Sequence, residues 1–188
     1  MSYIVFEGAD FVGKSTQIEL LKKDYKNAIF VNEPGFTELG KSLRKLILNE
    51  NMSDDCRNFL FLADRAQLFS SLDFNKIIIS DRSFISHLAY ASKKDYDLLL
   101  QCNLKVMKNV LPSAVIYLYL EKEEFLKRMK NRNLDEIEKK GVEYFLKVQK
   151  NYERVLEKLN LNMIKINASE DILNINKKIK DFINDKCN

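Results

Sequence analysis

Gly8-Ala9-Asp10-Phe11-Val12-Gly13-Lys14-Ser15 matches the pattern G-x-x-x-x-G-K-[ST] of a phosphate-binding loop. An apolar run rich in aromatic and β-branched residues, Tyr3 to Phe6, precedes it. After it, Ile18, Leu21 and Tyr25 share one face at helical spacing. Strand, glycine-bearing loop and helix in that order form a cradle for ATP phosphates. The chain holds only five glycines, and two of them, Gly8 and Gly13, stand at the required positions. Gly13 lets the backbone approach the phosphates while several amides and the helix N-terminus face the anion. Lys14 then bridges the β and γ phosphates, the Ser15 hydroxyl ligates Mg2+, and Thr16 reaches the α phosphate.

Working outward, further short apolar runs at Ala28 to Val31, Lys76 to Ser80, Ala114 to Leu120 and Asn162 to Ile166 read as strands. Helical periods lie between them; Leu39, Leu43, Leu46 and Ile47, for example, fall on one face. The alternation predicts an α/β chain with a five-stranded parallel sheet flanked by helices. Read with the phosphate loop, it is a single P-loop NTPase domain over residues 1–188, whose ligands sit at the carboxyl ends of the strands. Ile77-Ile78-Ile79-Ser80-Asp81-Arg82 ends such a strand in a carboxylate and a guanidinium. Asp81 is placed to hold Mg2+ through water and Arg82 to face the same phosphates; a plain surface ion pair is the alternative. From Asp54 to Asp73 apolar residues surround most of a helix, including Phe59, Leu60, Phe61, Leu62, Leu68, Phe69 and Leu72. Such a helix is expected to be buried on two sides, either in the core or between its own sheet and a second subunit. Asp135 and Glu138 have capping-box spacing ahead of another helix.

Composition narrows the function class. Hydrophobic residues make up 46% of the 188, and no run approaches the roughly 18 apolar residues of a membrane span. The N-terminus enters a strand at once, without the pattern of a secretory signal, so a cytoplasmic protein is expected. Cys56, Cys102 and Cys187 lack metal or disulfide spacing and read as reduced thiols. The net charge of +4 is scattered along helices, which argues against a nucleic-acid surface. With 24 Lys against 7 Arg, each arginine stands out as a planar fork for phosphate or carboxylate.

Five ordered motifs resemble the thymidylate kinase family over nearly the whole chain. They are Phe6 to Gln17 (F-E-G-A-D-F-V-G-K-S-T-Q), Glu33 to Gly35 (E-P-G), Leu60 to Gln67 (L-F-L-A-D-R-A-Q), Asp81 to Tyr90 (D-R-S-F-I-S-H-L-A-Y) and Leu134 to Glu138 (L-D-E-I-E). The resemblance implies transfer of the γ-phosphoryl group of Mg-ATP to dTMP. It further implies that Phe61 stacks on thymine, that Arg65 donates to a thymine carbonyl, and that Arg44 and Arg82 grip the acceptor phosphate. Asp10 would sense the 3′-hydroxyl, Tyr90 would crowd the 2′ position, Glu33 would orient an arginine at the acceptor phosphate, and Ser86 and His87 would complete the substrate pocket. Family members carry a catalytic arginine in the phosphate loop or in a mobile lid. The loop here has none, so the lid, about residues 127–142, must supply it, with Arg132 the first choice and Arg128 the second. Two positions depart from the family pattern: Ser83 replaces the usual Tyr, and His87 stands where many members carry an amide or a small residue. A homodimer is expected from the same resemblance. Two rivals remain: a deoxynucleoside kinase with Glu33 as base, and a P-loop switch that binds nucleotide for a protein partner.

Overall fold

The computed structural model describes residues 2–129 and 141–187. Five strands form one sheet in the order β2-β3-β1-β4-β5, every neighbouring pair parallel. They are β1 (Tyr3–Glu7), β2 (Ile29–Asn32), β3 (Ile78–Asp81), β4 (Ala114–Tyr119) and β5 (Met163–Asn167). The five predicted runs are these strands, with ends moved by one or two residues. The largest shift is at β3, where Lys76 N closes a turn onto Asp73 O and delays the strand to Ile78.

β1 is the central strand, and all five of its residues are buried, including the charged Glu7. Each apolar side chain so buried contributes about 1.5–3 kcal/mol. Helices fill the connections: α1 (Lys14–Asp24), α2 (Glu38–Asn49), α3 (Asp54–Ser71), α4 (Phe84–Tyr90), α5 (Tyr96–Val106), α6 (Lys122–Met129), α7 (Val142–Leu159) and α8 (Ile172–Cys187). Thr37 caps α2 by accepting from Gly40 N, Ser53 caps α3 by accepting from Cys56 N, and Ser83 caps α4 by accepting from Ile85 N. Among the described residues no helix is long and apolar enough to cross a membrane.

Parallel pairing puts three strand ends at one level. Phe6 pairs with Asp81, Asn32 pairs with Asp81 from the other side, and Arg82 N donates to Phe6 O at 2.9 Å. The phosphate loop, the Glu33-Pro34-Gly35 turn and the Asp81-Arg82 pair therefore emerge side by side.

The apolar pattern overstates burial on two helices. Ile47 is buried on α2, but Leu39 is 50% and Leu46 is 45% exposed. On α3, Leu62, Leu68 and Phe69 are buried, whereas Phe59 is 62% exposed. Within one chain α3 is thus covered mainly on one side, and that covered side includes Asp64 and Arg65, which no apolar count registers. The Asp135 cap and the Leu134 to Glu138 motif fall outside the described residues.

Candidate active site

The loop after β1 is shaped by glycine where it must be. Gly8 has φ +138°, and a Cβ there would stand 2.3 Å from the Leu118 carbonyl oxygen on β4. Gly13, with φ +88° in the left-handed region, caps α1. Lys14 is buried and Nζ donates to the carbonyls of Gly8 and Ala9, both at 2.9 Å. Burial, followed by the charge of Arg82, pushes its ammonium down to about 8, although Asp81, Asp10 and Glu7 pull the other way. Ser15 Oγ donates to Asp81 Oδ2 at 3.2 Å, and Thr16 is exposed on the first turn of α1.

A cleft of about 230 Å³ opens above this loop, lined by Asp10, Lys14, Ser15, Asn32, Glu33, Arg44, Asp81 and Arg82. A larger open groove of about 870 Å³ lies at the opposite, amino ends of β2 and β3 between Asp24–Ile29 and Asn75–Ile77. It is wide, but the converging guanidinium and carboxylate groups are in the smaller cleft, at the carboxyl strand ends where α/β sheets place ligands.

Arg82 is the best anchored of these groups. It has φ +73°, a costly conformation for a residue with a Cβ. Its Nη1 donates to Gly8 O at 3.2 Å, Ser86 Oγ at 3.3 Å and Tyr152 OH at 3.0 Å, Nη2 pairs with Asp10, and the guanidinium lies 5.4 Å from the Tyr90 ring centre. Asp10 also accepts from Tyr90 OH at 3.0 Å. Burial alone would raise the Asp10 carboxyl, but the Arg82 and Lys14 charges outweigh it and hold it below its ordinary value. Beneath lies Glu7, which accepts from Ser83 Oγ and Ser86 Oγ, both at 2.5 Å, while Ser86 Oγ sits 2.7 Å from Tyr152 OH. Burial pushes the Glu7 carboxyl up against those serine hydrogen bonds. The unusual Ser83 thus both caps α4 and holds Glu7.

A second cluster adjoins through Glu33, which ion-pairs with Arg65 Nη2 at 2.6 Å, each side chain only 2% exposed, and accepts weakly from Tyr3 OH at 3.4 Å. Burial is the main reason the Glu33 carboxyl climbs to about 7, with Arg65 opposing. Asp64 Oδ1 accepts from Gly35 N at 3.1 Å, so α3 grips the Glu33-Pro34-Gly35 turn at two points. Arg44 Nη1 donates to Pro34 O at 2.8 Å from α2. Arg65 Nη1 donates to Asn103 Oδ1 at 2.6 Å and lies 3.4 Å from His87 Nδ1, and the His87 ring is 5.3 Å from that of Phe61.

The structure therefore brings Asp10, Lys14, Ser15, Glu33, Arg44, Asp81 and Arg82 into one cleft, backs it with Ser86 and Tyr90, and sets Phe61, Arg65 and His87 beside it. Arg128 on α6 donates through Nη1 to Phe11 O at 3.0 Å and through Nη2 to Ala168 O at 2.6 Å. Arg132 and most of the expected lid lie outside the described residues. Sequence reading missed the parts played by Glu7, Asn32, Asp64, Asn103 and Tyr152. Glu7 and Asp64 carried usable signals, a charge ending an otherwise apolar strand and a carboxylate inside the Leu60 to Gln67 motif; the others sit in no pattern of spacing.

For Mg2+ the donor set is suitable. Asp81 Oδ1 is buried with no hydrogen-bond partner among the described residues, and its other oxygen already meets the Ser15 hydroxyl. Hard oxygen donors of this kind suit a small divalent cation that keeps most of its water.

Three comparisons bear on this site. A family model described as thymidylate kinase matches residues 6–179. Thymidylate kinase from Campylobacter lari is 48% identical, the match covering 97% of this chain and all of that protein; that from Helicobacter pylori strain P12 is 42% identical, covering 98% of each. A crystal structure of thymidylate kinase from Ehrlichia chaffeensis superposes with a TM-score of 0.76 over 96% of this chain and 97% of that one, at 22% identity, which speaks for the fold alone. The chain belongs to the thymidylate kinase family, and is by that membership an ATP-dependent nucleoside monophosphate kinase.

Proposed function

We propose that the chain transfers the γ-phosphoryl group of Mg-ATP to dTMP, releasing dTDP and ADP. The observation that supports this most is the convergence of Lys14, Arg44 and Arg82 on one cleft between the phosphate loop and the Glu33-Pro34-Gly35 turn. A phosphate oxygen of dTMP forms a bond to the γ phosphorus as the bond to the β-bridging oxygen breaks, and ADP leaves with that electron pair. The acceptor has a second pKa near ~6, so it is largely dianionic at neutral pH and needs no general base.

The protein's contribution is position and charge. On this reading Lys14 gives up the Gly8 and Ala9 carbonyls for the β and γ phosphates, with Gly8, Gly13 and Thr16 completing the ATP site. Arg44 and Arg82 hold the acceptor phosphate, and Lys14 and Arg82 offset charge on the transferred group. Asp10, held by Arg82 and Tyr90, meets the 3′-hydroxyl, and Tyr90 closes off the 2′ position. Phe61 stacks on the base, with Arg65, His87 and Ser86 around it. Ser15 and Asp81 are the groups that would hold Mg2+, which would supply positive charge to offset that of the phosphates. Arg132 is the lid cation on this reading, with Arg128, which donates to the Phe11 and Ala168 carbonyls, as the second choice. Arg132→Ala should lower kcat far more than it raises KM for dTMP; an unaltered kcat moves the role elsewhere.

Glu33 as the base of a nucleoside kinase is less favoured, because its carboxylate is committed to Arg65 and closed off from solvent. An ADP-release assay comparing dTMP with thymidine separates the two: the proposal requires turnover with dTMP, and turnover with thymidine alone refutes it. ATP hydrolysis indifferent to either acceptor would point to the switch instead.

The same reading makes the chain a cytoplasmic homodimer. Leu39 and Leu46 on α2 and Phe59 on the neighbouring α3 are large apolar side chains left in water by one copy, and a second copy of this chain is the proposed cover. A monomeric mass by light scattering contradicts that, and recovery outside the cytoplasmic fraction contradicts the location.

A further inference from the structure

Arg82 pairs with Asp10 at the cleft, and a line of hydroxyls joins its other side through the core to a second carboxylate, Glu7. Arg82 Nη1 reaches Tyr152 OH at 3.0 Å, Tyr152 OH lies 2.7 Å from Ser86 Oγ, and Ser86 Oγ lies 2.5 Å from Glu7 Oε2. Tyr152 and Glu7 are fully buried, and Ser86 is nearly so. The two ends fix where each proton points. A guanidinium has no lone pair, so Tyr152 OH accepts from Arg82 and sends its own proton to Ser86. Ser86 in turn gives its proton to Glu7, whose other oxygen accepts from Ser83 Oγ at 2.5 Å. A proton on Glu7 Oε2 would reverse the line and leave the Tyr152 hydroxyl proton with no acceptor among the described residues.

We propose that Glu7, Ser86 and Tyr152 are positioning residues for Arg82, forming a hydrogen-bond relay that runs one way from guanidinium to buried carboxylate and fixes the face Arg82 turns to the cleft. An arginine side chain carries about 2 kcal/mol of rotamer entropy, and a guanidinium free to swing meets a phosphate only part of the time. Asp10 holds Nη2 from the cleft side, whereas the relay holds Nη1 from within the core, out of reach of anything bound in the cleft. Hydrogen bonds with an ionised partner are roughly twice as strong as neutral ones, and the relay has one at each end. The Tyr152 ring is clamped on its own account, edge-on to Tyr90 at 6.1 Å and against Tyr117 at 5.7 Å, so its hydroxyl can be removed while the ring stays.

The inference rests on the dTMP reading for what Arg82 meets, but the direction of the relay is a property of the protein alone, so the two fail separately. Infrared difference spectra of wild type against Glu7→Gln at neutral pH should show the loss of a carboxylate band. Loss of a protonated-carboxyl band instead means that the line runs the other way and overturns the proposal. Tyr152→Phe should lower kcat/KM for dTMP about tenfold, the size of one hydrogen bond, and leave KM for ATP where it was. An equal loss toward both substrates marks a structural residue and overturns the proposal. Glu7 and Tyr152 are linked through Ser86, so in a relay they act as one: Glu7→Gln with Tyr152→Phe should lose about as much as either alone, whereas independent residues would together lose about a hundredfold. If Glu7→Gln does not fold, Arg82→Ala decides the matter. In that background Tyr152→Phe should change kcat/KM for dTMP by less than about twofold, and a further tenfold loss overturns the proposal. A wild-type enzyme inactive on dTMP would refute the functional reading instead and leave the infrared result standing.

Discussion

Replacing Arg65 with Met takes away a guanidinium that is 2% exposed and strands the equally buried Glu33 carboxylate. Breaking a buried ion pair from one side costs about 3–5 kcal/mol, because the surviving charge has no compensation. Glu33 can relieve part of that by taking a proton, since burial already raises it from 4.5 to about 7 with Arg65 in place. Arg65→Met at about pH 8 should therefore fall near the lower end, roughly 3 kcal/mol. Glu33→Gln strands the guanidinium and should cost a similar amount, while the double variant should cost less than the sum by roughly 2 kcal/mol. Urea unfolding of the four proteins yields that coupling from the midpoints. The pH dependence has a definite sign. A carboxyl raised on folding contributes stability that is complete below its unfolded value and lost as pH rises through its folded one. Wild-type stability should accordingly decline between 4.5 and about 7 from this group, and Glu33→Gln should lack that decline. Additivity of the two substitutions within about 0.5 kcal/mol, or identical pH slopes for wild type and Glu33→Gln, would show that the pair is not coupled in this way.

Other outcomes follow from the same geometry. Gly8→Ala drives a Cβ into the Leu118 carbonyl at 2.3 Å in a left-handed backbone, so stability measured by urea should drop by about 3 kcal/mol or more; a silent substitution contradicts the strand packing drawn here. Lys14→Met should cut kcat at least about a hundredfold without lowering the thermal midpoint at neutral pH. The reason is that an ammonium pushed down to about 8 on folding costs stability below that pH, a cost relieved only as pH rises from there toward 10.5. A clear fall in the midpoint would make Lys14 a structural residue. Phe61→Ala should weaken dTMP binding about tenfold in calorimetry and spare ATP, whereas equal loss of both would mark a core residue.

How far the sequence could be read depended on how local each cause was. The phosphate loop and the five strands were legible because glycine placement and short apolar runs act within a few residues of themselves. Partners that act across the chain left no such trace. Arg82 meets Tyr152 from 70 residues away, and Arg65 meets Asn103 from 38 away, each on a helix whose spacing says only that it has an inner face. Glu33 is expected from the sequence to orient an arginine at the acceptor phosphate, whereas packing of α3 on the turn after β2 pairs it with Arg65, beside His87. At Phe59, 62% exposed in one chain, the hydrophobic pattern stops short, because an apolar residue on a helix does not say whether its cover belongs to the same chain.

On the proposed reading Lys14, Arg44 and Arg82 converge on the gap between two bound phosphate groups. A crystal structure with ADP, Mg2+ and dTMP would show that gap filled. Lys14 is expected on the β phosphate with Arg44 and Arg82 within hydrogen-bonding distance of the dTMP phosphate; dTMP seated elsewhere, with these guanidinium groups turned from its phosphate, would overturn the proposal.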